Sequence, residues 1–237
     1  MSLNVKDDRG FNQGFKLVPS TEIRMKRRAD FMISKMDPEK KGMVLEIGCG
    51  RGEISYWIAS ATANLVVGSD LCIPFINDAN NRYKLNNLNY EILDFNNFEI
   101  IKDRQFDYVV GNGILHHLFN NIDLALHNLY KLLKPGGRII FIEPNIYNPY
   151  CALIFKIGFL RKLANLEPDE MAFSGSFIKK KLKTVGFKNI DTKYKDFLLP
   201  GVPTWSVQPL ITIGNVVEKI PLVNHLAQSI FISAEKN

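Results

Sequence analysis

From Met43 onward, short apolar runs alternate with amphipathic stretches, the pattern of repeated βα units feeding a parallel sheet. The strand candidates are MVLEIG (Met43–Gly48), NLVVGSD (Asn64–Asp70), NYEILD (Asn89–Asp94), FDYVVGN (Phe106–Asn112) and GRIIFIEPN (Gly137–Asn145). Helices are expected between them over Glu53–Ser60, Pro74–Leu85 and Asn121–Leu133. The last should stop at KPGG (Lys134–Gly137), where proline and glycine end a helix before the fifth strand. Beyond Asn145 the alternation loosens into an apolar segment (Ile146–Leu163), a helix (Ser176–Val185), a strand (Phe187–Phe197), a long uncharged stretch and a final strand (Ser229–Ala234). Ahead of the first strand, Ser20–Met36 reads as a capped helix with Glu22 near its positive end.

No repeat or low-complexity tract interrupts this order, so the expectation is one doubly wound α/β domain over 1–237. It divides into an N-terminal helix (20–37), a core (42–145) and two additions (146–186 and 197–228). Apolar residues at 46 % and charged residues at 23 % are the composition of a globule able to bury a sizeable core, which excludes disorder. The opening MSLNVKDDRG holds acidic residues and no apolar run, so no secretory leader is expected there; Ser2-Leu3 reads as a cloning leader. Three scattered cysteines (Cys49, Cys72, Cys151) form neither a disulfide framework nor a zinc cluster, which fits a reducing, cytoplasmic setting. A net charge of +6 permits an anionic partner without requiring one. The basic runs Arg24–Arg28 and Lys179–Lys183 fall in helices, where they are expected to face water.

The first strand runs into LEIGCGRG, which puts Gly48, Gly50 and Gly52 in the turn that opens a helix. Such a turn must bend sharply and approach a ligand more closely than a Cβ allows. An acid closing the second strand about twenty residues later turns that pattern into a nucleoside site, because a carboxylate there accepts both ribose hydroxyls. Asp70, followed by Leu71, stands there. Asp94 ends the third strand, placed for an amino or amide hydrogen, with Phe95 beside it to cover an adenine face. Three consecutive strands thus present polar groups at the edge where open α/β sheets bind ligands.

These motifs, with FDYVVGNGILHHL and LLKPGGRIIFIEPN, make the chain resemble the class I S-adenosylmethionine-dependent methyltransferases over about Arg24–Phe187. Within them it is similar to the group that includes ubiquinone-biosynthesis and other small-molecule methyltransferases. The resemblance implies a seven-stranded, mostly parallel sheet whose last strand runs antiparallel between the fifth and sixth. It implies S-adenosylmethionine as cofactor, with Glu46, Gly48 and Gly50 at its methionine part, Asp70 at the ribose, Asp94 and Phe95 at the adenine, and Asn112 beneath the sulfonium. Glu46 could otherwise be a solvated strand carboxylate, and Asp94 a helix N-cap before Asn96.

His116 and His117 follow the fourth strand, at the rim where an acceptor would meet the methyl group; one is a candidate base, against a packed, helix-capping reading. Ubiquinone-type O-methyltransferases carry Glu-x-x-Glu-His here, linked to a metal; with Gly113, His116 and His117 in those places, no metal site is expected. A nicotinamide reductase shares the glycine turn, and Tyr130/Lys134 even make a YxxxK pair, but the pair closes a helix away from the ligand edge. Nucleic-acid amino-methyltransferases place Asn/Asp-Pro-Pro-aromatic after the fourth strand, where this chain has NGIL; the later Asn148-Pro149-Tyr150 reads as a turn. RNA methylation and a non-catalytic cofactor-binding scaffold stay as alternatives.

The uncharged stretch 197–217 tempts a membrane span, but Pro200, Pro203, Pro209, Gly201 and Gly214 should break such a helix repeatedly. It is expected instead to rise above the ligand edge beside the apolar Tyr150–Leu160. Together they would form a lid over a small, apolar or lipid-linked acceptor, with peripheral membrane contact, or else pack on each other or in a dimer.

Overall fold

The computed structural model of the chain describes residues 19–237, Asn96 and Pro200 excepted. The expectation for the first ten residues and the part assigned to Pro200 lie outside the described residues.

Seven strands form one sheet in the order β3-β2-β1-β4-β5-β7-β6. They are β1 (Met43–Ile47), β2 (Leu65–Asp70), β3 (Leu88–Ile92), β4 (Phe106–Asn112), β5 (Leu133–Pro144), β6 (Lys188–Lys195) and β7 (Ser229–Glu235). The first five pair in parallel, and β7 runs antiparallel to both β5 and β6, as the resemblance implied.

The run IIFI explains why β5 sits at the centre. Ile139 and Phe141 pack on one face with Leu126 and Leu129 of α4 (Ile122–Leu132) and Leu182 of α7 (Gly175–Val185). Ile140 and Ile142 pack on the other with Met32 of α1 (Pro19–Ile33) and Ile58 of α2 (Glu53–Ala61). Strands covered by helices on both faces need apolar residues at every position, not at alternate ones. The remaining helices are α3 (Ile73–Arg82), α5 (Pro149–Lys156), α6 (Gly158–Leu163) and α8 (Thr204–Val217).

Several expectations are corrected. Ser20 lies within α1, not ahead of it, and its buried hydroxyl finds no partner among the described residues, so it does not act as a cap. KPGG does not precede β5 but interrupts it: Phe106 pairs with Leu133 and Tyr108 with Arg138, so residues 134–137 bulge out, with Gly136 at φ +72°. Asn148-Pro149-Tyr150 is a helix start, where Asn148 accepts from the Cys151 N–H (3.0 Å) and proline occupies the first turn.

Pro209 does not break α8, which runs fourteen residues through it. Its missing N–H leaves the carbonyl one turn earlier, at Trp205, without a helical donor, and that residue is exposed to water. Among the described residues no helix is long and apolar enough to cross a membrane.

The basic run in α1 is also corrected. Arg24 and Arg28 are buried, and both reach Asp196, just past β6 (3.3 and 3.1 Å). Arg28 further donates to Ser229 (2.9 Å) and to Asn112 (2.5 Å), and Arg24 to Gln228. Burial alone would raise the Asp196 pKa, but the two guanidiniums hold it below the usual carboxylate range. Burial and the neighbouring Arg28 push Arg24 down to about 10. The N-terminal helix is therefore clamped across the carboxyl edge of the sheet. Lys179 and Lys180 face water as expected.

Candidate functional site

A cavity of about 630 Å³ opens at the carboxyl ends of β1, β4 and β5, within the range of small-molecule sites. One side is built by the turn after β1. Gly48, Gly50 and Gly52 all have positive φ (+68°, +52° and +87°), which favours glycine. At Gly50 a Cβ would meet nothing within 4 Å, so the turn leaves open space on the cavity it lines. Gly52 is bare for the opposite reason: a Cβ there would lie 2.6 Å from the Tyr90 ring, whose hydroxyl donates to the Gly52 carbonyl (2.8 Å).

Glu46 lines the same side, and it is not a solvated carboxylate. It is 1 % exposed and accepts from the Ser55 hydroxyl of α2. Burial pushes its pKa up to about 8, with the nearby Glu53 and Asp70 charges adding to the rise while the Ser55 hydrogen bond opposes it. A buried acid of this kind is poised to ionise against a cation such as an α-ammonium group. Asp70 fixes the turn itself: its carboxylate accepts from the N–H groups of Gly50 (2.8 Å) and Cys72 (2.9 Å).

The other predicted residues separate. Asn112 lines the cavity, with its carbonyl oxygen on Arg28 and its amide beside the Met25 sulfur (3.6 Å). Asp70, Leu71, Asp94 and Phe95 are not part of its lining among the described residues. Phe95 packs in the main hydrophobic core at 7 % exposure, in the same cluster as Ile101. Asp94 opens a turn in which its carbonyl accepts from Asn97 N–H (3.0 Å), and Asn97, not Asp94, stands ahead of the following 3-10 turn. Tyr130 and Lys134 are occupied elsewhere, with Tyr130 against Phe187 and Lys134 on Asp107 (2.8 Å).

The side of the cavity opposite the glycine turn is organised by Glu143, a residue the sequence offered only as one acid in the buried run IIFIEPN. It is 1 % exposed and accepts from the N–H groups of Ile114 (3.0 Å), Leu115 (2.8 Å) and His116 (3.2 Å). The His116 ring sits on it through Nδ1 (2.9 Å). Since both Glu143 oxygens already accept from N–H groups, the ring donates through Nδ1, which leaves the Nε2 lone pair on a ring that lines the cavity. Burial and the neighbouring His117 lower the His116 pKa, so the ring is neutral near pH 7.

The His117 ring lies tilted against that of His116 (4.1 Å between centroids, 36° between planes) and meets Glu170 through Nδ1 (2.9 Å). Glu170 lies fifty-three residues downstream, and no local pattern could have found it. It is delivered by a loop that Arg161 grips by the carbonyls of Glu167 (2.7 Å), Phe155 (2.9 Å) and Glu170 (3.0 Å). The Met171 N–H closes the loop onto the His116 carbonyl (3.1 Å).

A family model described as a methyltransferase domain matches residues 45–139. The chain is 25 % identical over 186 residues to a ubiquinone/menaquinone biosynthesis C-methyltransferase of Desulfotalea psychrophila, covering 71 % of this chain and 74 % of the relative. It is 28 % identical over 135 residues to a probable polyketide synthase of Dictyostelium discoideum, 48 % of this chain but only 5 % of that much longer protein. A SAM-dependent methyltransferase of Archaeoglobus fulgidus shares the fold at 20 % identity, with a TM-score of 0.64 over 91 % of this chain and 94 % of that one. The glycine turn opening on the cavity, the buried acid beside it and β7 running antiparallel between β5 and β6 are the features that the resemblance implied. Residues 45–139 match a methyltransferase domain, and the chain is similar in sequence and in fold to S-adenosylmethionine-dependent methyltransferases.

Proposed function

We propose that the protein methylates a small apolar or lipid-linked acceptor. The observation that carries this reading is the junction of two unlike surfaces at one cavity: the glycine turn with Glu46 on one side, and on the other His116 and His117 beneath a rim rich in exposed apolar side chains. In the first addition Phe159 and Leu163 are 73 % and 70 % exposed, and the residues that follow, Ala164 to Leu166, line the cavity. In the second, Trp205 and Leu222 are 80 % and 81 % exposed. The two are tied together where Asn148 donates to the Leu226 carbonyl (2.7 Å) and Asn145 to that of His225 (2.7 Å). Exposed apolar groups in both additions suit an apolar ligand or surface, although among the described residues only the first addition brings apolar side chains to the cavity lining, and the exposed Lys156, Lys162 and Lys219 of the same segments suit an anionic lipid surface.

S-adenosylmethionine, when bound, supplies a methyl group already activated on a sulfonium, for in-line displacement. The chain's own residues then align and exclude. Glu46 and the Gly48–Gly50 turn would hold the methionine part, and Asp70, already aimed at the turn, would reach the ribose. Alignment is worth roughly 7–11 kcal/mol of barrier, and a positioned base about 10²–10⁴-fold, so the histidines matter most for an acceptor that must lose a proton. His116 is set for that step, with Nε2 open to receive the proton and Glu143 stabilising the resulting charge.

A methyl-transfer screen with labelled cofactor across lipid, quinone, saccharide and RNA fractions tests the reading. Label is expected in the lipid or quinone fraction. Label confined to RNA would transfer the assignment to the second reading, which the basic net charge supports.

A further inference from the structure

We infer that His116, His117 and Glu170 form a binding site for one divalent first-row transition ion, of the zinc, iron(II) or manganese(II) class. One ligand atom from each lies within 4.8 Å of the other two. Three donors of a single ion at metal–ligand distances of about 2.0–2.2 Å sit roughly 3 Å apart, and His117 Nδ1 and Glu170 Oε1 already stand at 2.9 Å. Two imidazoles and one carboxylate, with the remaining coordination positions open, is a donor set suited to such ions and not to magnesium or calcium, which prefer oxygen alone.

The surroundings are those of a built site. Glu143 holds His116 by Nδ1, which leaves Nε2 as the ring's ligand atom; an ion bound there takes the lone pair that would otherwise receive a proton, so the two roles of His116 are alternatives. Glu170 is 3 % exposed, and the Arg161 grip on its loop holds it there before any ion arrives. All three side chains line the cavity that the glycine turn also lines. An ion held by the three would lie at the wall of that cavity, where an oxygen of the proposed acceptor would complete its shell. That last role rests on the proposed function; the ion site does not.

The test uses tag-free, chelator-treated full-length protein titrated with Co²⁺ alone and followed by visible absorption, with Zn²⁺ as competitor. One ion per chain is expected, and Glu170→Gln and His117→Gln should each weaken it by at least about tenfold. Glu143→Gln, which touches no ion, should weaken it less. Thermal melts confirm that each variant is folded, and two independent ligand variants keep the test decisive if one is not. No uptake by the wild type, or equal uptake by both folded ligand variants, would overturn the site. S-adenosylmethionine binding, measured by calorimetry on the same samples without metal, reports separately on the cofactor half of the cavity.

Discussion

The two halves of the cavity are built on different length scales. The half proposed for the cofactor comes from one βα unit and the ends of its neighbours: Glu46, Gly48, Gly50 and Asp70 lie within twenty-five residues, and the turn carboxylate bonds the turn itself. The half proposed for the acceptor draws on β4, β5, a loop beyond α6 and the N-terminal helix. His116 leans on Glu143, His117 on Glu170, and Asn112 on Arg28. A local unit can be fixed by backbone geometry and a few glycines. A long-range one needs buried charges and hydrogen bonds to hold chain segments in place, and each of these is costly if left unpaired.

This contrast makes sharp expectations, the largest on the acceptor half. His116→Ala should lower kcat by about 10²–10⁴-fold while changing cofactor affinity little, as read from steady-state kinetics beside calorimetry. A folded variant with normal turnover would return His116 to a packing role and leave the acceptor half without chemistry.

Next comes the clamp. Asp196→Ala strands two buried guanidiniums, Arg24 and Arg28, and should cost about 3–5 kcal/mol in denaturant unfolding. Because the folded pKa of Asp196 is depressed, its contribution is present above the ordinary carboxylate value of about 3.9 and is lost as pH falls through the folded pKa. The gap between the melts of the two proteins should therefore be constant above about pH 4 and narrow as pH falls below it. A gap that does not narrow as the pH is lowered further would mean the carboxylate charge is not what holds α1.

The cofactor half responds more modestly. Asp70→Ala should weaken S-adenosylmethionine binding about 10- to 100-fold, the equivalent of roughly 1.5–3 kcal/mol for hydrogen bonds to a charged group. Folding should survive, since the turn keeps its glycines. Affinity equal to wild type in calorimetry would displace Asp70 from the ribose.

The smallest effect is expected from Glu46. Its pKa of about 8 leaves it mostly neutral at pH 7, and pairing with the cofactor's ammonium requires the ionised form. Affinity should rise somewhat under tenfold from pH 7 to pH 8.5, and binding at pH 7 should release a proton. Calorimetry in two buffers of different ionisation enthalpy reads that proton directly. No buffer dependence, with Glu46→Gln binding as wild type, would remove Glu46 from the site.

Much of the fold was legible because its signals are local. β4 begins and ends where FDYVVGN does, and the glycine turn, the strand-end acid Asp70 and the stop of α4 before KPGG follow from period, turn chemistry and spacing. What propensity alone decided wrongly was decided by context. Pro209 is tolerated because α8 exposes the carbonyl it deprives, and KPGG became a bulge because Leu133 pairs with Phe106 at once.

The amino-acid sequence by itself determined the alternating core, the cofactor turn and the presence of two histidines after the fourth strand, since each rests on residues a few positions apart. Only the tertiary structure decided their setting. It buried Arg24 and Arg28, which read locally as a solvated helix face, because Asp196 lies 172 and 168 residues away and meets them across the sheet edge. It packed Phe95 into the core, in the cluster that also holds Ile101. It also carried Glu170 to His117, supplying the carboxylate that the histidine motif lacks, by a loop whose course depends on one arginine and a set of backbone carbonyls. Periodicity and spacing report on neighbours in the chain, whereas buried charge finds its partner wherever folding brings one within reach.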